Sequence, residues 1–315
     1  MEYRNLGRSG LKVSALSFGS WVTFVNQLTE KTALSCMSMA YDNGVNFFDN
    51  AEAYASGKSE VLMGKVLKKL KWPRDSYIIS SKVFWGGELP TQRGLSKKHI
   101  HDACNNALKR LQLDYLDLFF CHRPDPETPI EESVYAMNDL ILQGKIMYWG
   151  TSEWSAKEID YAFKMAEKHN LRPPVMEQPQ YNLLHRERFE KEYSPIFKKY
   201  KIGSTIWSPL ASGVLSGKYM NRMPNKHRFK IKGYEWLKDE LLKQEFIKKL
   251  QSIKNISDSL NVSMAQLSIA WCLANKNVST VILGASKKSQ LKENLRSLEV
   301  YQNLSPEVIS SLNSI

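Results

Sequence analysis

The sequence has no long hydrophobic run. Its 315 residues contain no apolar stretch near the ~20 residues that span a bilayer, and the mean hydropathy is −0.40. The opening residues, MEYR, lead into a polar turn without the apolar core of a secretory signal. Because 43% of the residues are hydrophobic and 24% are charged, a disordered chain is excluded as well. We therefore expect a cytoplasmic protein with no direct membrane insertion.

Cysteine is scarce and scattered. The four cysteines, Cys36, Cys104, Cys121 and Cys272, form no C-x-x-C pair and no cluster with metal-ligand spacing. We expect free thiols in a reducing compartment and no metal site. Cys121 is adjacent to His122 and could therefore be a nucleophile. It ends an apolar run, however, and a buried, unreactive thiol is the more usual state of a cysteine in such a run.

Acidic residues are in deficit, with 32 against 44 basic residues and a formal net charge of +12. Such a balance admits nucleic acid, an acidic membrane surface or an anionic ligand. No nucleic-acid recognition motif is present, so we expect no nucleic-acid partner. Eleven basic and four acidic residues fall between Lys218 and Lys254. A solvated helical face explains most of them, whereas Lys218, Lys226 and Arg228 precede the predicted helix and could meet phosphate.

The chain alternates short β-branched or aromatic runs with amphipathic stretches. Eight such runs are typical of strands that are buried on both faces. They lie at residues 13–19, 45–49, 77–82, 115–121, 146–152, 175–180, 204–210 and 278–284. Helices are predicted at 30–43, 59–70, 96–111, 130–143, 155–169 and 260–275, and the last ten residues look loosely specified.

This rhythm predicts an α/β fold, a (β/α)8 TIM barrel in one domain over residues 1–315. A doubly wound sheet would normally carry G-x-G-x-x-G after its first strand. Here the first strand is followed by FGSW, and no P-loop is present either. A long connection, at about residues 212–236, follows the seventh strand, and long loops in compact domains are usually functional.

Three different titratable residues end three successive predicted strands: Asp49, Lys82 and His122. In a parallel barrel the chemistry lies at the carboxyl ends of the strands. Tyr54 follows Asp49 by five residues, in a loop that can return over the barrel mouth. One such residue alone is usually a cap or a structural rim residue; three in succession indicate a catalytic site.

The four side chains suit the protonation of a developing alkoxide. A phenol is a weak acid at neutral pH, and a nearby ammonium favours its phenolate and would lower the pKa of Tyr54. Asp49 can hold Lys82 charged, and His122 can hydrogen-bond the oxygen that meets Tyr54. This predicts a general acid for carbonyl reduction, with the hydride supplied by a cofactor.

At these residues the sequence resembles the aldo-keto reductases, and the likeness runs over nearly the whole chain. The stretch DNAEAY at 49–54, followed by Gly57, Ser59, Glu60 and Gly64, is similar to the family's signature after the second strand. The branch it most resembles is that of the voltage-gated potassium-channel β subunits and their soluble microbial relatives. Further matching segments are YRNLG at 3–7, YDNG at 41–44, FWGG at 84–87, RPDP at 123–126, YWGTS at 148–152, WSPLA at 207–211 and ILGAS at 282–286.

The resemblance implies NADP(H) bound without a Rossmann motif, and a catalytic tetrad of Asp49, Tyr54, Lys82 and His122. In that tetrad Tyr54 would donate the proton. The implied cofactor contacts fall into five groups. They are Ser20, Trp21, Gln27 and Asp49 at the reactive end; Ser152, Gln178 and Trp207 at the nicotinamide; Ser208, Pro209, Leu210, Ala211 and Ser212 along the pyrophosphate; Lys218 and Arg228 at phosphates; and Gly284, Ser286, Gln290, Glu293 and Asn294 at the adenosine end.

The sequence departs from the mammalian channel subunits at several of these positions. Those subunits carry Asn in place of His122, Arg in place of Glu153, Cys in place of Ser212 and Tyr in place of Lys226. Here the barrel is also expected to begin near Met1, without the inactivating extension that some of them carry. His122 therefore favours a working reductase of small aldehydes or ketones. The alternative is an NADP(H)-sensing accessory subunit of a potassium channel with weak activity, and the branch implies a homotetramer.

Overall fold

The computed structural model describes residues 1–21, Phe24, 29–220 and 244–315. In these ranges a two-stranded antiparallel hairpin precedes eight parallel strands, which close into a barrel. The strands are β1 Tyr3–Asn5, β2 Lys12–Ser14, β3 Leu16–Gly19, β4 Phe47–Asp49, β5 Ile78–Val83, β6 Leu116–Cys121, β7 Ile146–Thr151, β8 Met176–Glu177, β9 Gly203–Ile206 and β10 Thr280–Leu283. Each barrel strand pairs with the next along the chain, and β10 pairs with β3. The predicted (β/α)8 barrel is confirmed.

Eleven α-helices are present in the described ranges. They are α1 Glu30–Asp42, α2 Lys58–Leu70, α3 Lys97–Leu111, α4 Ile130–Leu142, α5 Ala156–Lys168, α6 Ser194–Tyr200, α7 Gln244–Ser259, α8 Met264–Ala274, α9 Lys288–Leu295, α10 Ser297–Gln302 and α11 Pro306–Asn313. No helix of the described residues is long and apolar enough to cross a membrane.

The predicted capping box at Ser155 is confirmed. The Ser155 side chain accepts from the Glu158 amide at 3.2 Å, and the Glu158 carboxylate accepts from the Ser155 amide at 2.7 Å. These reciprocal bonds satisfy two donors that a helix start leaves unpaired, so α5 begins at a defined residue. Gly144, with φ +68°, follows the end of α4 in the left-handed region that favours glycine.

Several predicted boundaries were wrong. The strands predicted at 175–180 and 204–210 end earlier, at Glu177 and Ile206. The run 13–19 is split between hairpin strand β2, which pairs with β1, and barrel strand β3, and the Ser14 hydroxyl donates to the Leu16 carbonyl at 2.6 Å across Ala15. The helix predicted over 260–275 begins only at Met264, where Ser263 and Gln266 form a capping box. The last ten residues are not loosely specified, since Ser305 caps α11.

The barrel interior has an apolar layer at its amino end. Leu6 and Val13 of the hairpin region share one buried cluster with Phe47, Ile78, Leu118, Phe120 and Met176 of the strands. The hairpin turn approaches β9 closely, because a Cβ on Gly7 would lie 2.3 Å from the Gly203 nitrogen. The hairpin therefore closes this end, and the opposite end is left for chemistry.

The carboxyl end of the interior is polar. Alternate residues of a strand face the same side, so Asp49 follows Phe47, and Ser80 and Lys82 follow Ile78, on the inward face. Neighbouring strands are in register at this rim, with Gly19 beside Asp49 and Thr151 beside Glu177. The predicted site residues at the strand ends consequently share one end of the barrel.

Candidate active site

A fully buried ion pair lies at the centre of the barrel mouth. The Lys82 Nζ lies 2.7 Å from Asp49 Oδ2, and it also donates to the Asn50 carbonyl at 2.7 Å. Complete burial lowers the pKa of the Lys82 ammonium, and the Asp49 carboxylate opposes that shift. Asp49 Oδ1 accepts from Ser80 at 2.7 Å and from the Gln178 amide at 3.1 Å. Since every oxygen of the carboxylate is used, Asp49 has one orientation.

Tyr54 reaches the ion pair from the loop after β4. The Lys82 Nζ donates to the Tyr54 hydroxyl at 3.0 Å and lies 4.7 Å from the centre of its ring. The loop is tied to β5, because the Glu52 amide donates to the Lys82 carbonyl at 3.3 Å. The Glu52 carboxylate also accepts from the amide of Phe84, directly after β5, at 2.8 Å. The sequence spacing thus brings a phenol into direct contact with a buried ammonium.

His122 follows β6 and is almost completely buried. Its amide donates to the Val83 carbonyl at 3.0 Å, and its ring centre lies 5.8 Å from that of Tyr54, edge to face. Burial and the nearby cations Lys82 and Arg123 lower the pKa of His122 well below its ordinary value. The imidazole is therefore neutral at neutral pH. Its Nδ1 has no hydrogen-bond partner among the residues that the structure describes.

The ends of β7 to β9 carry the residues expected to hold a nicotinamide. The Ser152 hydroxyl donates to the Gln178 carbonyl at 2.8 Å. The Gln178 side-chain nitrogen donates to both Asp49 Oδ1 and Thr205 Oγ1, which leaves its amide oxygen for a ligand. The Trp207 ring stands 5.6 Å from that of Trp21, and Trp21 lies 6.5 Å from Tyr54. Polar amide partners and an aromatic face at one rim fit a nicotinamide amide and ring.

The segment after Trp207 has an unusual backbone. Ser208, Ala211 and Ser212 have φ values of 55°, 45° and 57°, and Gly213 follows at 95°. Such values cost non-glycine residues free energy and cluster at ligand-binding sites. Pro209 and Leu210 lie within this segment, and Lys218 is exposed just after it. Its position beside the Trp207 rim suits the expected pyrophosphate path.

The residues expected at the adenosine end follow β10. Leu283 is in register with Phe18, so Gly284 and Ser286 leave the barrel on the same rim as Ser20. The Ser20 hydroxyl donates to the Asp49 carbonyl at 3.0 Å, which links the two positions. Gln290 accepts from both the amide and the hydroxyl of Ser286, at 3.0 and 2.9 Å. Glu293 is exposed and Asn294 is buried on α9, and the predicted Gln27 and Arg228, with most of the loop at 212–236, lie outside the described residues.

Glu153 has a structural role at this rim that reasoning from the sequence missed. Its carboxylate accepts from the Trp207 indole at 3.0 Å and from the Gln180 amide at 2.6 Å, and it pairs with Arg188 at 2.8 Å. Glu153 itself has a φ of 59°. Its amide donates to the buried Glu177, whose pKa burial raises to about 8. The only feature of the sequence that could have indicated this role is the position of Glu153 directly after Ser152, at the end of a predicted strand.

The alternative of a reactive cysteine is disfavoured by the structure. Burial raises the pKa of the Cys121 thiol, as it does for the buried Cys272. All four cysteines are buried and free. No group of three His, Cys, Asp or Glu side chains that could hold a metal ion occurs in the described ranges.

Comparison with known proteins places this barrel in a family. The family model described as "Aldo/keto reductase family" matches residues 15–315. The chain is 49% identical over 316 residues to "Probable voltage-gated potassium channel subunit beta" of Arabidopsis thaliana, and 48% identical to the protein of the same name in Oryza sativa subsp. japonica. Each alignment covers 100% of this chain and 96% of the relative. A (β/α)8 barrel with Asp49, Tyr54, Lys82 and His122 gathered at its mouth, matched over almost its whole length by that model, belongs to the aldo/keto reductase family of oxidoreductases.

Proposed function

We propose that this protein is an NADPH-dependent reductase that converts small aldehydes or ketones into alcohols. The observation that carries the proposal is the chain of contacts from Asp49 through Lys82 Nζ to the Tyr54 hydroxyl, at 2.7 and 3.0 Å. A buried ammonium in contact with a phenol stabilises the phenolate that remains after proton donation. Few other functions require that arrangement at the mouth of a barrel.

The four residues divide the work of carbonyl reduction. A bound nicotinamide would supply the hydride to the carbonyl carbon. Tyr54 then donates its hydroxyl proton to the carbonyl oxygen, which becomes the alcohol, and the phenolate later recovers a proton from solvent. Lys82 stabilises that phenolate, Asp49 keeps Lys82 charged, and neutral His122 orients the carbonyl oxygen next to Tyr54.

The residues around the rim suit a dinucleotide. Ser152 and Gln178 would hold the carboxamide, and the face of Trp207 would stack on the nicotinamide ring. The segment from Ser208 to Ser212 would follow the pyrophosphate. Lys218 and Arg228 would meet phosphates, and Ser286, Gln290, Glu293 and Asn294 would hold the adenosine end, with Ser286 and Gln290 near the 2′-phosphate. We expect Arg228→Ala to weaken NADPH binding more than NADH binding, and equal losses would place Arg228 away from the 2′-phosphate.

A single-turnover experiment tests the proposal. The protein is loaded with NADPH and mixed with excess 4-nitrobenzaldehyde, and loss of the reduced-nicotinamide absorbance is followed. We expect oxidation by the wild type and loss of oxidation in Tyr54→Phe, which should retain NADPH binding. Near-full turnover in Tyr54→Phe would show that another group donates the proton.

A second function is favoured by the relatives named as probable potassium-channel β subunits. In that function the barrel senses NADP(H) within a complex with a channel, with weak turnover, as a homotetramer. Co-purification with the cytoplasmic domain of a potassium channel tests it, and light scattering measures the assembly. Tight NADPH binding without aldehyde reduction, together with a stable complex, would favour this function over the first.

A further inference from the structure

Arg123 holds a positive charge at the edge of the candidate site. It directly follows His122 and is half-buried. Its Nη1 donates to the His122 carbonyl at 2.5 Å and to the Ser152 hydroxyl at 3.3 Å. Its guanidinium carbon lies 5.4 Å from the centre of the Trp85 ring, and that ring is 5.1 Å from His122. Arg123 therefore lies between Ser152, at the expected nicotinamide site, and the Trp85 ring.

In the part of the chain that the structure describes, no carboxylate pairs with this guanidinium. Three other half-buried arginines each have an acidic partner: Arg74 with Asp117, Arg110 with Glu60, and Arg188 with Glu153. For Arg123 no Asp or Glu oxygen lies within 4.0 Å in residues 1–21, 24, 29–220 and 244–315. Arg123 therefore differs from those three arginines in having no acidic partner among the described residues.

Asp125, two residues after Arg123, and Glu153, next to its partner Ser152, are engaged with other groups. Asp125 accepts from the Leu95 amide and the Thr128 hydroxyl, each at 2.7 Å. Glu153 holds Trp207 and Arg188. The charge of Arg123 also acts inward, since it contributes to the lowered pKa of both Lys82 and His122. The guanidinium therefore adds to the positive charge at the barrel mouth, and a bound anion would offset that charge.

We propose that Arg123 binds the carboxylate of the substrate, so that the preferred substrates are aldehydes or ketones that also carry a carboxylate group. A guanidinium is planar and binds carboxylate through two parallel hydrogen bonds. The tether of Nη1 to His122 and the ring of Trp85 fix its plane before a ligand arrives. The carboxylate itself is not changed in the reaction, and the inference rests on the proposed reductase function.

The test compares a charged substrate with a neutral one of nearly the same shape. The NADPH-loaded protein is given 4-carboxybenzaldehyde or methyl 4-formylbenzoate, and kcat/KM is measured for each. The variants are Arg123→Gln, Arg123→Lys and, as a matched control, Arg93→Gln. Arg93 is an exposed cation that is bridged to Trp85 through the backbone and bonds the Gly87 carbonyl at 3.1 Å.

We expect Arg123→Gln to lower kcat/KM for the acid by about ten- to a hundredfold, the range of a charge-assisted hydrogen bond. The ester should change by less than about threefold, and Arg123→Lys should restore part of the loss as a lower KM. Arg93→Gln should leave the acid-to-ester ratio unchanged. An equal loss for acid and ester in Arg123→Gln would mean that Arg123 only positions His122, and would overturn the proposal.

Failure of the reductase function gives a different result. In that case the wild type oxidises NADPH with neither substrate, and binding is measured instead through tryptophan fluorescence. The NADPH-loaded protein is titrated with 4-(hydroxymethyl)benzoate and with its methyl ester. Preferential binding of the acid that Arg123→Gln abolishes would sustain the anion site, and equal binding of acid and ester would overturn it.

Discussion

Asp49→Asn should destabilise the protein in a way that depends on pH. The substitution keeps one side-chain oxygen for Ser80 or Gln178 but removes the charge that lies 2.7 Å from Lys82 Nζ. Removal of one partner of a buried ion pair costs about 3–5 kcal/mol. Lys82 can limit that loss by giving up its proton. Burial lowers the pKa of Lys82, and without Asp49 the Coulomb attraction that opposes this lowering is gone.

The cost of removing that proton sets a ceiling on the loss. The ordinary lysine pKa is 10.5, and each pH unit below it costs about 1.4 kcal/mol, so the ceiling is about 5 kcal/mol at pH 7 and about 1.4 kcal/mol at pH 9.5. The sign follows from linkage. A lysine whose pKa is lower in the folded state binds fewer protons there than in the unfolded state, so stability rises with pH between the lowered pKa and 10.5.

Urea unfolding at pH 7 and pH 9.5 measures both quantities. We expect Asp49→Asn to lose about 3–5 kcal/mol relative to the wild type at pH 7 and clearly less at pH 9.5. The matched control is Asp102→Asn, which breaks an exposed pair with Lys98 and should change the midpoint little at either pH. A deficit for Asp49→Asn that is the same at both pH values would refute the assignment of the loss to a buried ammonium.

Three further predictions follow from contacts described above. Glu153→Ala should weaken NADPH binding about tenfold, since it releases the Trp207 indole and Arg188. Glu153→Gln keeps an acceptor oxygen and should weaken NADPH binding less. Fluorescence titration measures both affinities, and equal losses would contradict the role of Glu153 in positioning Trp207. Because His122 is neutral, kcat/KM should show no step near pH 6.5, and a step there that His122→Asn removes would be the contrary result. Gly64→Ala should cost about 1–3 kcal/mol in urea unfolding, because its Cβ would lie 2.6 Å from the Leu111 carbonyl, whereas Gly10→Ala meets nothing within 4 Å and should be silent.

The position of Asp49 and Lys82 at one rim could be predicted because strand periodicity and barrel topology act together. A strand alternates its faces every two residues, so Phe47 and Asp49, or Ile78 and Lys82, belong to the same inward face. A parallel barrel then brings all the carboxyl ends to one rim. No knowledge of side-chain packing is needed for that step, which explains why the pairing of Lys82 with Asp49 could be anticipated from the order of residues.

The roles of Glu153 and Arg123 could not be reached in that way. Glu153 bonds Trp207, which is 54 residues away, and Arg188, which is 35 residues away, on separate elements. The lack of an acidic partner for Arg123 among the described residues depends on where the carboxylates around it point. The local sequence pattern does not determine such contacts. For the same reason it did not predict the break at Ala15, where the Ser14 hydroxyl donates to the Leu16 carbonyl.

The two ends of the barrel meet opposing demands. The amino end is sealed by apolar contacts between the hairpin and the strands, and burial there is favourable. The carboxyl end buries Lys82, keeps a second cation at Arg123 and holds several residues at positive φ, and each of these has a free-energy cost. Because these features lower the stability of the fold, their presence at the end that carries Tyr54 and His122 is most simply explained by chemistry at this end. We therefore expect the loss of a charge at the mouth to lower the activity that uses it, as for Arg123→Gln with the carboxylate substrate but not with its ester.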